Sequence, residues 1–211
     1  MMDDRKPHEQ KKLLRPALRV LPTLALLFLL AAPSAATTYK VDPDHTSVTF
    51  RVRHLFTKVQ GRFDRFEGKI VFDPSEPRKA RVEGWIDVAS VNTNVEERDK
   101  DLRSARFFDA AKYPKIEFRS TRVLEVAKDG KHGKLEGQLT IHGVTRPVVL
   151  DVAYLGEATD PWGNKRAGFS AKTTIDRKDF GLTWNEVLET GGVLVGEEVE
   201  IEIQAEGLVE E

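Results

Sequence analysis

The sequence contains no cysteine and no marked excess of either charge. Without cysteine, a disulfide framework, thiol redox chemistry and a lipid anchor attached at cysteine are all excluded. The 33 basic and 34 acidic residues leave a formal net charge of −1. A mixed surface of this kind gives no electrostatic reason to expect nucleic acid or anionic lipid headgroups as partners.

Short catalytic motifs are absent as well. The sequence has no glycine-rich phosphate loop, no dinucleotide fingerprint, no His-Glu-x-x-His pair and no Gly-x-Ser-x-Gly elbow. We therefore expect a binding protein and not an enzyme.

The longest apolar run lies near the N-terminus and is typical of an export signal. A basic segment, residues 1–19, precedes the apolar run Leu21–Ala32, and small residues follow at 34–36. This order predicts a cleavable signal peptide over residues 1–36. The alternative, an uncleaved anchor, needs roughly 20 apolar residues, which is more than this run provides. We expect a periplasmic or secreted chain of one domain, residues 37–211, with no stable membrane insertion after the signal is removed.

Apolar and polar residues alternate along most of the remaining chain. In the first such stretch Val48, Phe50 and Val52 share one face, and arginines occupy the other. A period of two indicates a strand with one face buried and one face in water. Eight stretches show the pattern: Thr46–His54, Val59–Asp73, Ala80–Val91, Lys115–Val126, Lys134–His142, Arg146–Leu155, Ala167–Asp176 and Glu198–Glu206. They predict an all-β fold, a small eight-stranded antiparallel barrel with one short helix after the third strand.

The apolar faces of these strands mix large and very small side chains. The large ones include Phe50, Phe63, Ile86, Phe118, Leu139 and Phe169, and the small ones are Ala80, Gly84, Gly137, Ala167 and Ala171. An eight-stranded barrel needs bulky side chains to close its interior. The small residues therefore predict an unfilled apolar lumen, and the alternative is a barrel that is packed solid.

The segment after the third strand loses the alternation and predicts a helix that could act as a lid. Thr93 and Glu96 have the spacing of a capping box, in which both side chains bind backbone N–H groups at the helix start. The helix should run to about Ala105, with Val95 and Leu102 facing the barrel.

Polar residues near the expected cavity mouth allow two interpretations. Arg98 and Asp99 on the helix could form a solvated ion pair or support the helix cap, or they could bind the polar head of a ligand. His54 lies in register with an apolar row, and His142 lies beside a turn, so both are further candidates for a head-group contact.

A metal-dependent enzyme is one alternative function. His45, His54 and His142 could in principle meet around a metal ion. Their spacing offers no two histidines at positions i and i+2 of one strand, the usual arrangement of paired ligands in β proteins.

An interaction module is the other alternative. In that case the barrel is packed solid, and Phe107, Phe108 and Trp184 form an exposed docking patch. Such a patch could also mediate a homodimer.

Several longer motifs in a fixed order make the sequence resemble the YceI-like family. The motifs are His45–Leu55, Gly61–Gly68, Asn94–Asp99, Leu102–Ser104, Phe107–Asp109, Tyr113–Pro114, Leu139–Val148 and Asp179–Gly181. The resemblance covers essentially all of residues 37–211 and implies an extended lipocalin-like barrel, usually periplasmic, whose lumen holds a long isoprenoid or a similar amphiphile. Members of that family resemble carriers of polyisoprenoids, isoprenoid quinones or fatty amides, and some are associated with stress responses. The resemblance implies no catalytic residue.

The expected function is that of a carrier that holds a long-chain isoprenoid, an isoprenoid quinone or a fatty-chain lipid in its lumen, without a cofactor. The candidate ligand-binding residues are those that the motifs place on the inner row or at the mouth: Phe50, Val52, His54, Phe63, Ile86, Arg98, Asp99, Leu102, Phe107, Phe108, Phe118, Leu139, His142, Phe169 and Phe180. We expect no metal ligand among them.

Overall fold

Eleven strand segments of the described residues form one antiparallel sheet. The computed structural model describes residues 36–189 and 191–210, so the predicted signal peptide lies outside the described residues except for Ala36. The strands are β1 Thr37–Val41, β2 Ser47–His54, β3 Thr57–Phe63, β4 Phe66–Phe72, β5 Arg81–Asp87, β6 Val91–Asn92, β7 Lys115–Val126, β8 His132–Ile141, β9 Val144–Thr159, β10 Lys165–Asp176 and β11 Val195–Val209. The same residues contain one α-helix, α1 Glu96–Arg103, and four 3-10 helices, Pro43–His45, Pro77–Lys79, Val88–Ser90 and Arg177–Phe180.

Six of the segments are the halves of three bent strands. β1 and β2 pair with different parts of β11, since Tyr39 lies opposite Val209 and Val48 lies opposite Ile203. In the same way β4 pairs with β1 and β3 pairs with β2. In turn, β5 pairs with β4 and β6 pairs with β3. The three bent strands and the five continuous strands β7 to β11 are the eight strands of a barrel. The pairing of β1 and β2 with β11 closes this barrel. The predicted eight-stranded antiparallel barrel is confirmed.

Two of the three bends arise where aspartate side chains interrupt the strands. Asp42 accepts a hydrogen bond from the backbone N–H two residues on at 3.1 Å and caps the 3-10 helix Pro43–His45. Asp87 caps Val88–Ser90 through the corresponding N–H at 2.9 Å. Such local side-chain hydrogen bonds compete with the sheet ladder. From the alternation, β3 and β4 were predicted as one continuous strand, and β5 and β6 as another. Of β1 and β2, only β2 was predicted.

The barrel has two different ends. What we call the helix end carries α1, the helix Arg177–Phe180 and the β8–β9 turn at His142 and Gly143. What we call the hairpin end carries the β7–β8 turn, the β9–β10 turn and the helix Pro77–Lys79. β7 contains a bulge after Ser120, where its pairing with β8 shifts register.

The predicted helix is present after the third bent strand, but its start was wrong. α1 begins at Glu96, its N-cap is Val95, and no side chain caps it. The hydroxyl of Thr93 instead donates to Asp99 Oδ1 at 2.5 Å, and the Thr93 N–H donates to the same oxygen at 2.8 Å. Val95, expected to face the barrel, is 47% exposed. Because the Thr93 hydroxyl is bound to the buried carboxylate of Asp99, it does not cap the helix.

Two groups of buried apolar side chains occupy the two ends. The larger group lies toward the helix end and contains the most deeply buried large side chains, Phe180, Val88 and Val91, each 2% exposed. The smaller group, toward the hairpin end, is built around Tyr39 and Phe72. Between them the inward-facing side chains are mostly half-buried, because they border a cavity.

Candidate functional site: an apolar lumen

A cavity of about 350 Å³ lies inside the barrel. It reaches from Phe108 and Leu182 at the helix end to Val126 and Gly133 at the hairpin end. Inward-facing side chains from strands all round the barrel line it, and nearly all of them are apolar. Ligand pockets in proteins have volumes on the order of 300–1,000 Å³ and mostly apolar walls. The described residues therefore form the hollow barrel that the small inner residues predicted.

The two ends of the lumen differ in their exposure. At the hairpin end Glu125, Lys131 and His132 border the cavity, and all three are exposed. At the helix end it is bordered by Leu182 and Arg177, which are 7% and 5% exposed. The lumen therefore meets solvent at the hairpin end.

Ten of the fifteen predicted ligand-binding residues line the lumen. They are Phe50, Val52, Phe63, Ile86, Leu102, Phe107, Phe108, Phe118, Leu139 and Phe169. All are apolar, and the strand residues among them lie on the inward face that the alternation identified. That these residues contact a ligand stays a prediction.

The other five predicted residues lie outside the lining. Phe180 is buried in the packed group at the helix end. His54 is exposed near the end of β2, and His142 lies in the β8–β9 turn with its ring centroid 4.6 Å from that of Tyr113. Arg98 and Asp99 lie in α1, outside the lining of the lumen.

Arg98 and Asp99 bind the segment that leads into α1. The Arg98 Nε donates to the Thr93 hydroxyl at 2.7 Å, and its Nη2 donates to the Thr93 carbonyl oxygen at 2.9 Å. Asp99 is 7% exposed and accepts the two hydrogen bonds from Thr93 given above. Of the two interpretations, this arrangement favours a structural role at the helix start, because both side chains are bound to Thr93.

The three histidines considered for a metal site are not brought together. Nδ1 of His45 lies 2.8 Å from Asp42 Oδ2 near the bend after β1, whereas His54 and His142 lie at the helix end. Within the parts of the chain that the structure describes, no three His, Cys, Asp or Glu side chains are grouped so that they could hold a metal ion.

Three glycines of the strands do not leave empty space, contrary to our expectation for Gly84 and Gly137. A Cβ built on Gly137 would lie 2.3 Å from Cζ of Phe118, so the phenyl ring occupies the place of the missing side chain. A Cβ built on Gly61 would likewise lie 2.2 Å from Cζ of Phe50. Gly84 faces backbone, with the carbonyl oxygen of Glu67 2.7 Å from a Cβ. Phe118 and Phe50 therefore lie along the wall over glycine, which leaves the bore beside them open.

The aromatic side chains proposed as an exposed docking patch are half-buried. Phe107 and Phe108 line the lumen, and the rings of Phe107 and Trp184 pack with centroids 5.0 Å apart. The guanidinium of Arg106 covers Trp184 at 4.8 Å from the ring centroid. The interaction-module alternative therefore loses the exposed aromatic patch on which it rested.

Several lining residues were absent from the predicted site. The inward rows of β9 and β11 contribute Val148, Leu150, Val152, Tyr154, Val199, Ile201, Ile203 and Ala205. Their alternation was visible in the sequence, and extending the rule to every strand would have found them. Burial raises the pKa of the Tyr154 hydroxyl. No sequence signal marked Arg177, because it lies beyond the last alternating residue of β10.

A partly buried ion-pair cluster holds the hairpin end together. Nη1 of Arg166 lies 2.6 Å from Asp42 Oδ2, and its Nε lies 3.0 Å from Asp160 Oδ2. The hydrogen bond from Arg166 lowers the pKa of Asp42. The pKa of Asp160 is lowered first by Asn164 and then by Arg166. The cluster ties the bend after β1 to the β9–β10 turn.

The fold and the lumen together define a class, the small antiparallel β-barrels that can enclose an apolar ligand. The family model of the YceI-like domain matches residues 39–207. A UPF0312 protein of Pectobacterium carotovorum is 42% identical over 193 residues, which cover 90% of this chain and 96% of that protein. The chain belongs to the YceI-like family.

Solved structures agree with this assignment. The YCEI protein of Campylobacter jejuni, 32% identical, covers 75% of this chain and 90% of its own with a TM-score of 0.63. A polyisoprenoid binding domain from Saccharophagus degradans, 18% identical, covers 82% of this chain and 99% of its own with a TM-score of 0.58, and at that identity it shows the fold alone. Among residues 36–189 and 191–210, none of the helices has the length and hydropathy required to cross a bilayer.

Proposed function

We propose that this protein binds one long-chain isoprenoid, or a similar amphiphilic lipid, inside its barrel and carries it through the periplasm or outside the cell. The observation that carries the proposal is the apolar cavity of about 350 Å³, which spans the barrel between its two ends. A solid barrel would have no place for such a molecule. An apolar bore of this shape suits a slender chain better than a compact polar metabolite.

The comparisons support the choice of ligand class. The chain belongs to the YceI-like family, and a protein of the same fold is described as a polyisoprenoid binding domain. Isoprenoid quinones and fatty-chain lipids share the same slender apolar shape and are included in the proposal.

Energetics explain how such a barrel could both load and release its ligand. Burying a CH₂ group away from water contributes about 0.8 kcal/mol, so a long chain strongly prefers the lumen to solvent. A bilayer is as apolar as the lumen, however, and the net free energy of exchange with a membrane is therefore small. Shape, length and the few polar contacts then decide which lipid is held.

Mass spectrometry tests the proposal directly. The protein is expressed in a bacterial host, purified without detergent and analysed under native conditions. We expect an adduct that organic solvent releases as a single lipid species, and uptake of a fluorescent prenyl probe after delipidation. A chain that shows neither the adduct nor the uptake contradicts the proposal.

Export is a separate part of the proposal and rests on residues 1–36. Osmotic-shock fractionation should release a shortened chain that begins near residue 37. A matched variant that lacks residues 2–36 should stay in the cytoplasm. Retention of the full-length chain in the cytoplasm would show that the export signal was misread.

A further inference from the structure

Within the part of the chain that the structure describes, one cation is buried in the wall of the lumen. Arg177 opens the 3-10 helix that follows β10, is 5% exposed, and borders the cavity beside Leu182 and Val195. The rest of the lining at this end is apolar. A guanidinium in such surroundings needs hydrogen-bond acceptors, because its N–H groups have lost water.

Among the described residues, only two of the three nitrogen atoms of this guanidinium have hydrogen-bond partners. Nε donates to the carbonyl oxygen of Gly196 at 2.9 Å, and Nη1 donates to the carbonyl oxygen of Leu182. Nη2 is buried and has no hydrogen-bond partner among the described residues. Both partners that exist are neutral carbonyl groups, so no carboxylate neutralises the charge by direct contact.

The nearest carboxylates are engaged elsewhere. Glu197 and Asp176 act on Arg177 through space. Glu197 binds the Lys178 ammonium, and Asp176 accepts the Lys178 N–H at 2.8 Å. Burial outweighs their attraction and lowers the pKa of Arg177. The site therefore has a free donor and an incompletely balanced positive charge.

Among the described residues, the hairpin end of the lumen has no equivalent group. Lys131 borders the cavity there, but it is exposed and therefore hydrated. Nδ1 of His132 is bound to Asp129 at 2.6 Å. A buried donor at one end and hydrated groups at the other make the two ends chemically unequal for an amphiphile.

We propose that Arg177 binds an anionic head group, a carboxylate or a phosphate, of the lipid in the lumen. The head then lies at the helix end, and the tail points toward the hairpin end. An oxygen of the head accepts from Nη2, which completes the hydrogen bonds of the guanidinium and balances its charge. This inference rests on the proposed function, because it assumes that a lipid enters the lumen.

Two pairs of probes test the head-group preference. Hexadecanoic acid is compared with hexadecanol, and geranylgeranyl monophosphate is compared with geranylgeraniol, so the pairs separate carboxylate from phosphate recognition. We expect at least one anionic probe to bind the delipidated protein tenfold or more tightly than its alcohol. Arg177→Met should abolish this preference while both alcohols still bind. Lys131→Met removes a cation from the other end and should leave the preference unchanged.

A second measurement does not depend on the folding of the Arg177 variant. Wild-type protein is crystallised with hexadecanoic acid that carries bromine at its terminal carbon, and the bromine is located by anomalous scattering. We expect the bromine at the hairpin end, near Lys131 or Gly133. Bromine beside Arg177, or equal binding of acids and alcohols by the wild type, would overturn the inference. Failure of all four probes to bind would instead contradict the proposed function itself.

Discussion

The phenyl ring of Phe118 covers Gly137 on the neighbouring strand, so that Cζ of the ring lies 2.3 Å from the place where a Cβ on Gly137 would be. The two residues lie on adjacent strands, because Phe118 pairs with Leu139 and Ser120 pairs with Gly137. A glycine at this position lets the ring lie against the barrel wall. The pair thus keeps a large side chain out of the bore.

Adding a methyl group to Gly137 should destabilise the barrel. In Gly137→Ala the Phe118 ring must leave its place, and overpacking of this kind costs about 1–3 kcal/mol. Urea denaturation measures the free energy of unfolding. Gly168→Ala, where the nearest atom to the new Cβ is Leu155 Cβ at 3.2 Å, is the matched control and should cost less.

The same site offers a double-mutant test of the cause. In a Phe118→Ala background the ring is absent, so the added cost of Gly137→Ala should fall, and the remainder should come from the backbone oxygen of Arg119, which lies 2.8 Å from the added Cβ. An undiminished cost in that background would show that the backbone, and not the ring, excludes the methyl group.

Filling the lumen should block binding without unfolding the protein. Ala171 faces the cavity from β10, and Ala171→Phe places a ring in the bore. Fluorescence of a prenyl probe should show binding weakened tenfold or more, with a melting temperature close to that of the wild type. The adjacent Lys172 is exposed, so Lys172→Phe adds the same ring outside the barrel and should bind normally. Equal binding by both variants would place the ligand elsewhere.

Asp99 should matter for stability and not for ligand preference. Asp99→Ala leaves the buried N–H of Thr93 without its acceptor, at a cost of roughly 1–3 kcal/mol. Glu97, exposed on the same helix, is the control, and Glu97→Ala should be nearly neutral. Thermal unfolding and the probe pairs are measured together. If Asp99→Ala changes the ratio of acid to alcohol affinity, Asp99 contributes to ligand binding and its role is not structural alone.

Acid should weaken the hairpin end through Asp42. Its pKa is lower in the folded state than the unfolded value of about 3.9, mainly because Arg166 donates to it. A lowered folded-state pKa stabilises the protein above the unfolded pKa, and this stabilisation is lost as the pH falls through the folded pKa. The free energy of unfolding, measured by urea titration, should therefore decline steeply below about pH 4.

Removing the arginine tests this assignment. Arg166→Met should be less stable at neutral pH and should show a shallower decline in acid, because the pKa of Asp42 returns toward its ordinary value. Arg119, whose ion pair with Glu83 is exposed, provides the control variant Arg119→Met. If both variants keep the wild-type pH profile, Asp42 is not the source of the acid sensitivity.

Local patterns predicted most of the architecture and part of the site. Alternation in β10 and β11 identified the strands and their inward faces, because successive side chains of any strand point to opposite sides. The start of α1 could not be predicted in the same way, since Thr93 has a capping position in sequence but a better partner in Asp99. A spacing rule describes which hydrogen bonds are possible, and the choice among them depends on burial.

By itself, the sequence determined that the chain forms a barrel of eight alternating strands and which rows face inward, because strand periodicity is a local property. It did not determine how full the interior is, since Gly137 and Ala171 look equally small in sequence, yet one is covered by Phe118 and the other borders open space. It also did not reveal that Arg177 lies in the lumen wall with a free donor. Only the tertiary structure decided these points, because the direction of a side chain and the supply of hydrogen-bond partners depend on segments distant in sequence.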